Sequence, residues 1–364
     1  MSSRSQYAMY LAVLPSYRRE CIALVRRRFG SAIRLFVSSA HLDESVKTGI
    51  DPDDYQEVGM RRLLGNRAFL QTGSWGDAIR SGTLVVDLNP RSVTAWMLLA
   101  VRAVLRRRTL VWGHLYPVLG ASSVTARLRL LMRRVADGTI TYTYSSRQQA
   151  QADLPGKPVW VAPNSLYPAS EIVPVAAAAS DSVLYVGRFA PAKKVDLLVR
   201  GFAELLHSTP GARLILIGGG ETEPGVRELV DDLGLSAQVE MPGWLEGDAA
   251  LRPYYERAFC TASPGFAGLG LTQSLGYGIP CAVARGERHS PEIELAETGG
   301  VRWFNGDDAA ALGSALKDLY HGRDQLPLTS VSARVRELYS ADAMAEGLAA
   351  ALQAETQKLS EGEI

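Results

Sequence analysis

Two cations stand five residues apart in Gly187-Arg188-Phe189-Ala190-Pro191-Ala192-Lys193-Lys194-Val195-Asp196. The run before them, Val183-Leu184-Tyr185-Val186, is short and apolar and is closed by Gly187, which reads as a buried strand. Arg188 and Lys193 therefore sit where a strand ends and a helix opens. There they could clamp a diphosphate, the guanidinium as a planar fork and the ammonium as a point charge. The plainer reading is a pair of solvated surface cations; the strand-end crevice, where α/β sheets bind ligands, favours the clamp. A second loop, Ser263-Pro264-Gly265-Phe266-Ala267-Gly268-Leu269-Gly270-Leu271-Thr272-Gln273-Ser274, follows another strand. Its glycines at 265, 268 and 270 would let backbone approach a ligand, and a helix beginning near Leu271 would aim free amides at an anion. One glycine loop can be an ordinary turn. Two at the same end of one sheet carry more weight.

The elements that must hold these loops are legible in the second half. Helical spacing at Val195, Leu198, Val199, Phe202, Leu205 and Leu206 runs until Pro210-Gly211. A strand follows at Arg213–Ile217, closed by three glycines, then a helix from about Pro224 to Leu233 and strands at Val239–Met241, Ala258–Ala262 and Cys281–Ala284. That alternation means a parallel sheet covered by helices on both faces. In the first half, Ala8–Leu14 and Ile33–Ser38 read as strands around a basic helix, Tyr17–Phe29, with Thr83–Leu88, Thr109–Trp112 and Gly138–Thr143 as three more. Ile172-Val173-Pro174-Val175 and Ala176–Ala179 read as a hinge. Helical spacing returns after about residue 331, at Val335, Leu338, Tyr339, Met344, Leu348 and Leu352, before a polar tail expected to fray. The expectation is two doubly wound α/β domains facing a cleft: 1–172, 173–330, and a C-terminal segment 331–364.

Composition narrows the classes. The 364 residues suit about two domains, and 47% hydrophobic with 21% charged residues excludes wholesale disorder. Cys21, Cys260 and Cys281 share no metal or disulfide spacing, which points to a reducing cytosol. The most apolar run, Ala95–Val101, is stopped by Arg102, too short to span a bilayer; Ala8–Leu14 lacks the small-residue cleavage site of a signal peptide. A net charge of +1 conceals a split: residues 1–165 hold 23 Lys and Arg against 11 Asp and Glu, the remainder 16 against 27. The basic residues cluster at Arg26–Arg28, Arg106–Arg108 and Arg127, Arg129, Arg133 and Arg134, so the first half is expected to meet an anionic membrane surface or a phosphorylated substrate. Nucleic acid ranks last because no aromatic stacking platform interleaves them. Asp51-Pro52-Asp53-Asp54 has an acidic spacing that could hold a divalent metal, yet Asp and Pro clusters mainly form turns, so no metal is expected. His41, His207, His289 and His321 have no ligand-spaced partners and read as surface or packing residues.

Val186-Gly187-Arg188-Phe189 with Lys193 and Asp196, then Ile217-Gly218-Gly219-Gly220-Glu221, Val239 to Gly243, and Ser263 to Pro280 with Gly276-Tyr277-Gly278-Ile279-Pro280 together resemble the retaining glycosyltransferases of glycosyltransferase family 4. Ala162-Pro163-Asn164, Pro291-Glu292-Ile293 and Gly299-Gly300 fit the same order. The first half resembles the family only through Gly113-His114 and the stretch from Ala136-Asp137 to Ser145. The resemblance implies a GT-B architecture of two Rossmann-like domains, with nucleotide-sugar donor on the C-terminal one, acceptor on the N-terminal one, and the last helices crossing back. It implies that Arg188 and Lys193 bind the donor diphosphate and stabilise it as it leaves, and that His114 contacts the donor sugar. The remaining donor contacts would come from Gly187, Gly243, the run Gly265-Phe266-Ala267-Gly268-Leu269-Gly270-Leu271-Thr272-Gln273, and Glu292.

The chain departs from the pattern in three places. The family carries two glutamates eight positions apart; here they are Gly265 and Gln273. Gln273 can still hydrogen-bond ribose hydroxyls, but Gly265 offers only backbone, leaving a sugar-facing carboxylate to Glu292 or Glu294. Lys194 occupies a usual glycine position, and Pro15-Ser16-Tyr17-Arg18 replaces the glycine-rich turn after the first strand. The implied reaction is a retaining, metal-independent, hexosyltransferase-type transfer from a nucleotide-diphosphate sugar to a glycan or lipid-linked glycan in polysaccharide biosynthesis, in the cytoplasm and peripheral on the inner face of the cell membrane. Double displacement would need two carboxylates flanking the anomeric carbon, and the glycine loop offers none. The departing phosphate can instead accept the acceptor's proton on the same face. The alternative is a catalytically silent sugar-nucleotide binding or scaffold subunit, suggested by the missing glutamates; the retained Arg188, Lys193 and His114 speak against it.

Overall fold

In the computed structural model, which describes residues 5–39, 41–42, 47–116, 123–176 and 180–357, the chain forms two compact units: Met1–Pro168 with Ala341–Glu363, and Ala169–Ser340. The polar tail beyond 357 and residues 177–179 of the expected hinge lie outside the described residues.

The first unit is built on β1 (Tyr7–Leu11), β2 (Ile33–Val37), β3 (Gln56–Glu57), β4 (Gly59–Leu63), β5 (Ala68–Thr72), β6 (Thr83–Asp87), β7 (Thr109–Trp112), β8 (Gly138–Thr141) and β9 (Val159–Val161). Its main sheet is parallel, in the order β3-β2-β1-β6-β7-β8-β9. Every residue of β1 is buried, as a central strand covered on both faces requires. Alternate residues feed two cores. Tyr7, Met9 and Leu11 pack with the helices Arg19–Phe29 and Ala341–Gln353; Ala8 and Tyr10 pack with Val93–Val104. The C-terminal helix lies almost on the backbone of β9: a Cβ at Gly347 would fall 1.8 Å from the Val161 carbonyl oxygen. Arg108 donates to the carbonyls of Ala351 and Leu352 at that helix's end, where a cation also suits the helix dipole.

The second unit is built on β10 (Ser182–Val186), β11 (Arg213–Ile217), β12 (Val239–Gly243), β13 (Ala258–Ser263), β14 (Cys281–Arg285) and β15 (Val301–Asn305), parallel in the order β12-β11-β10-β13-β14-β15. Val183, Tyr185, Leu214 and Leu216 face the helices Val195–Leu206 and Ala309–His321, while Leu184, Ile215 and Ile217 face Leu251, Tyr255 and Tyr277.

Several features differ from the sequence expectation. Ile172 and Val175 are buried, and the Val175 N–H donates to the Tyr277 carbonyl (3.0 Å), so this part of the expected hinge is packed into the second unit. The helix Thr329–Tyr339 also packs there, and the chain returns to the first unit only at Ala341. The antiparallel ribbon β4–β5 was not anticipated, because its exposed arginines obscure any alternation. Its signal is the turn at Leu64-Gly65-Asn66, all three at positive φ. The basic clusters are partly structural: Arg102, which ends the most apolar run, is fully buried with donors on the carbonyls of Ala78, Ile79, Ser81, Gly82 and Arg108, and buried Arg133 pairs with Asp153 at 2.7 Å. Among the described residues no helix is long and apolar enough to cross a membrane.

Candidate functional site

Strand order in the second sheet reverses between β10 and β13, and open α/β sheets bind ligands outside the strand ends at such a point. Both loops singled out in the sequence leave from these two strands. Backbone hydrogen bonds join the strand ends: Gly187 N–H to Ile217 O (3.0 Å), Phe189 N–H to Gly219 O (2.8 Å) and Gly218 N–H to Gly243 O (2.8 Å). Gly218 is required for this contact; with φ at +134°, a Cβ there would lie 1.9 Å from the Gly187 carbonyl oxygen.

Lys193 ends the short 3-10 turn Pro191–Lys193, and its ammonium donates to the Phe266 carbonyl (2.8 Å), 4.7 Å from the Phe266 ring centroid. The Phe266 N–H donates back to Ala192 O (2.8 Å), so the two loops grip one another. Gly268 faces the ammonium, with a Cβ position 4.0 Å from Nζ, and a small pocket of about 40 Å³ opens among Tyr185, Val186, Lys193, Ser263, Phe266 and Gly268. Arg188 is exposed beside it, and buried Glu292 completes the charge group. Burial, with repulsion from Arg188 added and attraction to Glu292 opposing, lowers Lys193 to about 8. An anionic ligand that needs the ammonium must restore its proton above that value. Affinity for a nucleoside diphosphate is therefore expected to fall as pH rises through about 8, with proton uptake on binding. Calorimetry in buffers of different ionisation enthalpy checks this, and Lys193→Arg should remove the fall.

The other expected positions are distributed unevenly. Lys194, in left-handed backbone (φ 51°), bonds Glu287 and Asp307 at 2.5 Å each and is occupied by them. At Gly265 a Cβ would sit 2.2 Å from the Ala192 carbonyl oxygen, so this position has no room for a side chain. Gln273 is 7% exposed, and its side-chain oxygen accepts from the Tyr255 hydroxyl (3.0 Å). Tyr255 packs on Tyr277, whose hydroxyl donates to Asp248 (2.8 Å). Leu271 and Thr272 are buried, and the helix begins at Leu269 rather than near Leu271. Ala267 contributes no free backbone: its N–H donates to His289 Nδ1 (3.1 Å) and its carbonyl accepts from Ser290 N–H (2.9 Å). His289 Nε2 donates to Ala284 O (2.8 Å), so the histidine read as surface or packing fixes the glycine loop through both ring nitrogens. Glu294 accepts from the buried Tyr339 hydroxyl, which makes it part of the packing.

His114 belongs to the first unit, at a second pocket. There the strand order reverses between β1 and β6, and a cavity of about 800 Å³ is lined by Pro15, Tyr17, Arg18, Asp87, His114 and Tyr142 among others. His114 is exposed at the pocket mouth, where partial desolvation together with the Arg129 and Arg18 charges lowers it to about 4, so at neutral pH it is an uncharged hydrogen-bonding group. Burial raises Asp87 to about 6, against the Ala12 N–H, which donates to its carboxylate at 2.5 Å, and the Arg18 charge. Neither Asp87 nor the burial of Arg18 was found from sequence; the replaced glycine turn was the available signal. Asp51 accepts from the Asp53 N–H (3.0 Å) to cap a 3-10 turn, as its turn-forming composition implied.

Residues 180–322 match the family model described as Glycosyl transferases group 1. The D-inositol 3-phosphate glycosyltransferases of Nocardiopsis dassonvillei and Acidothermus cellulolyticus are each 32% identical to the chain, over 149 and 146 residues. These matches cover 37% of this chain and 34% and 32% of the relatives, so the chain spans about a third of the length of the curated relatives it matches. Among solved structures, Anabaena HepE in complex with UDP superposes with a TM-score of 0.65 at 13% identity, covering 96% of this chain and 100% of that one. The pneumococcal O-GlcNAc transferase GtfA in complex with UDP and GlcNAc gives 0.65 at 10% identity, covering 96% and 99%.

Proposed function

Residues 180–322 belong to the group 1 glycosyltransferases, within a chain of GT-B fold, and from that premise we propose that the protein is a retaining transferase moving a sugar from a nucleoside-diphosphate sugar to a glycan or lipid-linked glycan. The observation that carries this is the cation pair Arg188 and Lys193 at the switch point of the second sheet, beside a pocket floored by the glycine loop. In this reading residues 173–330 bind donor and the first unit binds acceptor. As the bond to the anomeric carbon breaks, negative charge grows on the leaving diphosphate. Two preorganised cations stabilise that charge more in the transition state than in the ground state, which is what accelerates a step. The leaving phosphate takes the acceptor's proton on the same face. His114, held neutral, donates or accepts a hydrogen bond at the sugar.

Charge stabilisation by the chain's own cations makes transfer independent of divalent metal. A panel of nucleotide-sugars is the test, read by thermal stabilisation and nucleotide release with chelator present. One donor should stabilise the protein and release its nucleotide without metal. The silent binding subunit, favoured by the closed position at Gly265, predicts stabilisation without release, and loss of release on chelation would overturn the clamp.

The acceptor side points to a lipid surface, with the protein on the inner face of the cell membrane. The helix Val124–Val135 leaves Val124 (72%), Leu128, Leu131 (46%) and Val135 exposed at i, i+4, i+7 and i+11, with Arg127 and Arg134 exposed beside them. An apolar stripe flanked by arginines is the composition of a helix lying in a bilayer interface. Each cation near an anionic surface contributes on the order of 1 kcal/mol, fading with salt. The protein is therefore expected to sediment with phosphatidylserine-containing vesicles and not with neutral ones at low salt, and Leu128→Ser/Leu131→Ser should weaken this. Equal sedimentation with both vesicles would count against membrane docking.

A further inference from the structure

We propose that His289 is a positioning residue of the glycine loop, and that only its neutral imidazole holds that loop in the geometry that binds donor. The ring is half-buried in the segment after β14, and both of its nitrogens meet backbone. Nδ1 accepts from the Ala267 N–H (3.1 Å) and Nε2 donates to the Ala284 carbonyl (2.8 Å). A backbone N–H can only donate and a carbonyl can only accept, so these partners admit one form, neutral with its proton on Nε2. The Ala267 N–H shares a rigid peptide plane with the Phe266 carbonyl and points the opposite way. That carbonyl accepts from the Lys193 ammonium (2.8 Å), so a single peptide stands between His289 and Lys193. The Ser290 N–H holds the next carbonyl, that of Ala267, at 2.9 Å. His289 and Ser290 thus fix the chain on both sides of Ala267, one residue before Gly268 faces the ammonium.

A second proton on the ring would sit on Nδ1 and meet the Ala267 N–H donor to donor. That hydrogen bond is then lost, the peptide turns, and its carbonyl moves off Lys193. The ring's own segment carries Glu287 and Arg288, and β14 ends in Arg285, which lies 5.4 Å from the Trp303 ring. Trp303, on β15, also packs against the imidazole, with centroids 6.0 Å apart. Its neighbour Arg302 pairs with Asp318, and Asp307 beyond β15 shares Lys194 with Glu287 at 2.5 Å each. Glu292, on the 3-10 helix Pro291–Thr298, is buried and attracts Lys193. Glu287 and Asp307, being paired already, offer an imidazolium little. The opposing influence is a bound diphosphate, whose charge by itself would favour the imidazolium; it acts across the loop, whereas the Nδ1 contact is direct. Donor binding therefore weakens on the acid side as His289 gains a proton, and on the alkaline side as Lys193 loses one.

This rests on the reading of the loop as a donor site, and its test has one arm that needs no ligand. The full chain labelled with ¹⁵N in histidine and alanine would be taken from about pH 8 to about pH 5, the span in which imidazoles change charge. His289→Asn, whose side-chain oxygen stands in for Nδ1 and gains no proton, assigns the ring signals, and Ala267→Gly assigns the amide. The Nε2–H form should dominate at the alkaline end. The Ala267 amide should move in step with the His289 ring, and should stay still in His289→Asn. The second arm is calorimetric titration with UDP-glucose, UDP-N-acetylglucosamine and GDP-mannose, whose diphosphates are esterified at both ends and keep their charge over this span. Affinity should fall roughly tenfold between about pH 7 and about pH 5, the worth of one hydrogen bond, and should stay level in His289→Asn. An Ala267 amide that ignores the ring, an affinity that is level or rises toward the acid end, or an acid loss that survives in His289→Asn, with Glu292 its source, would overturn the proposal. If the amide follows the ring but no nucleotide-sugar binds at any pH, the transferase reading fails and the positioning of the loop stands. If a nucleotide-sugar is bound and turned over without the acid loss, the positioning role alone fails.

Discussion

Replacing Arg188 or Lys193 with alanine is expected to slow transfer about 100- to 1,000-fold, the cost of removing one preorganised donor from a developing oxyanion. The loss should appear in single-turnover rate at saturating donor more than in donor affinity, since charge on the diphosphate grows as the bond to the sugar breaks. Arg188 is the cleaner probe because its side chain is exposed, whereas Lys193 also holds the Phe266 carbonyl and so the glycine loop. Lys193→Arg separates the two duties: it keeps a charge while changing the shape of the donor. Lys194→Ala is the control, since Lys194 is taken up by Glu287 and Asp307 and should affect stability more than turnover. Variants of Arg188 and Lys193 that bind donor weakly yet transfer at the normal rate once saturated would make the pair a binding device only.

Introducing the family's missing carboxylate with Gly265→Glu is expected to damage the site rather than restore it. A Cβ at 265 meets the Ala192 carbonyl oxygen at 2.2 Å, and that atom is backbone and cannot swing aside. The clash falls on the contact where Phe266 N–H bonds Ala192 O and Lys193 bonds Phe266 O, so the loop and the ammonium shift together. Overpacking of this kind costs about 1–3 kcal/mol, which corresponds to roughly 5- to 150-fold in donor affinity if the loop bears the strain. Calorimetric titration with the preferred nucleotide-sugar, beside a melting curve to confirm folding, checks it. A folded Gly265→Glu protein with improved transfer would show that the loop accommodates a side chain after all.

The second unit was legible because its signals are local. A strand buried on both faces reads as a continuous apolar run, as in Val183–Val186 and Leu214–Ile217, and each ends in glycines whose need is geometric, as Gly218 demonstrates. What the sequence hid depends on tertiary placement. His289 looks like an isolated histidine until its two ring nitrogens are seen to hold Ala267 and Ala284. Gln273 looks available to a ribose until Tyr255 is found on its side-chain oxygen. The positive charge of the first half looks uniform in sequence, yet Arg102 and Arg133 are absorbed by carbonyls and a carboxylate, Arg18 lines a pocket, and Arg127 and Arg134 reach solvent. Identical residue types in the basic first half serve packing, pocket lining and surface.

The most direct test of the central claim is calorimetric titration of the full chain with the nucleoside diphosphate released by its preferred donor, in chelator at pH 7, against Arg188→Ala and Lys193→Ala, paired with nucleotide release from the donor itself. The account predicts metal-free binding that weakens in both variants and a release rate that falls about 100-fold or more in each. Binding and release unchanged by both substitutions, or present only with added Mg²⁺ or Mn²⁺, would contradict it.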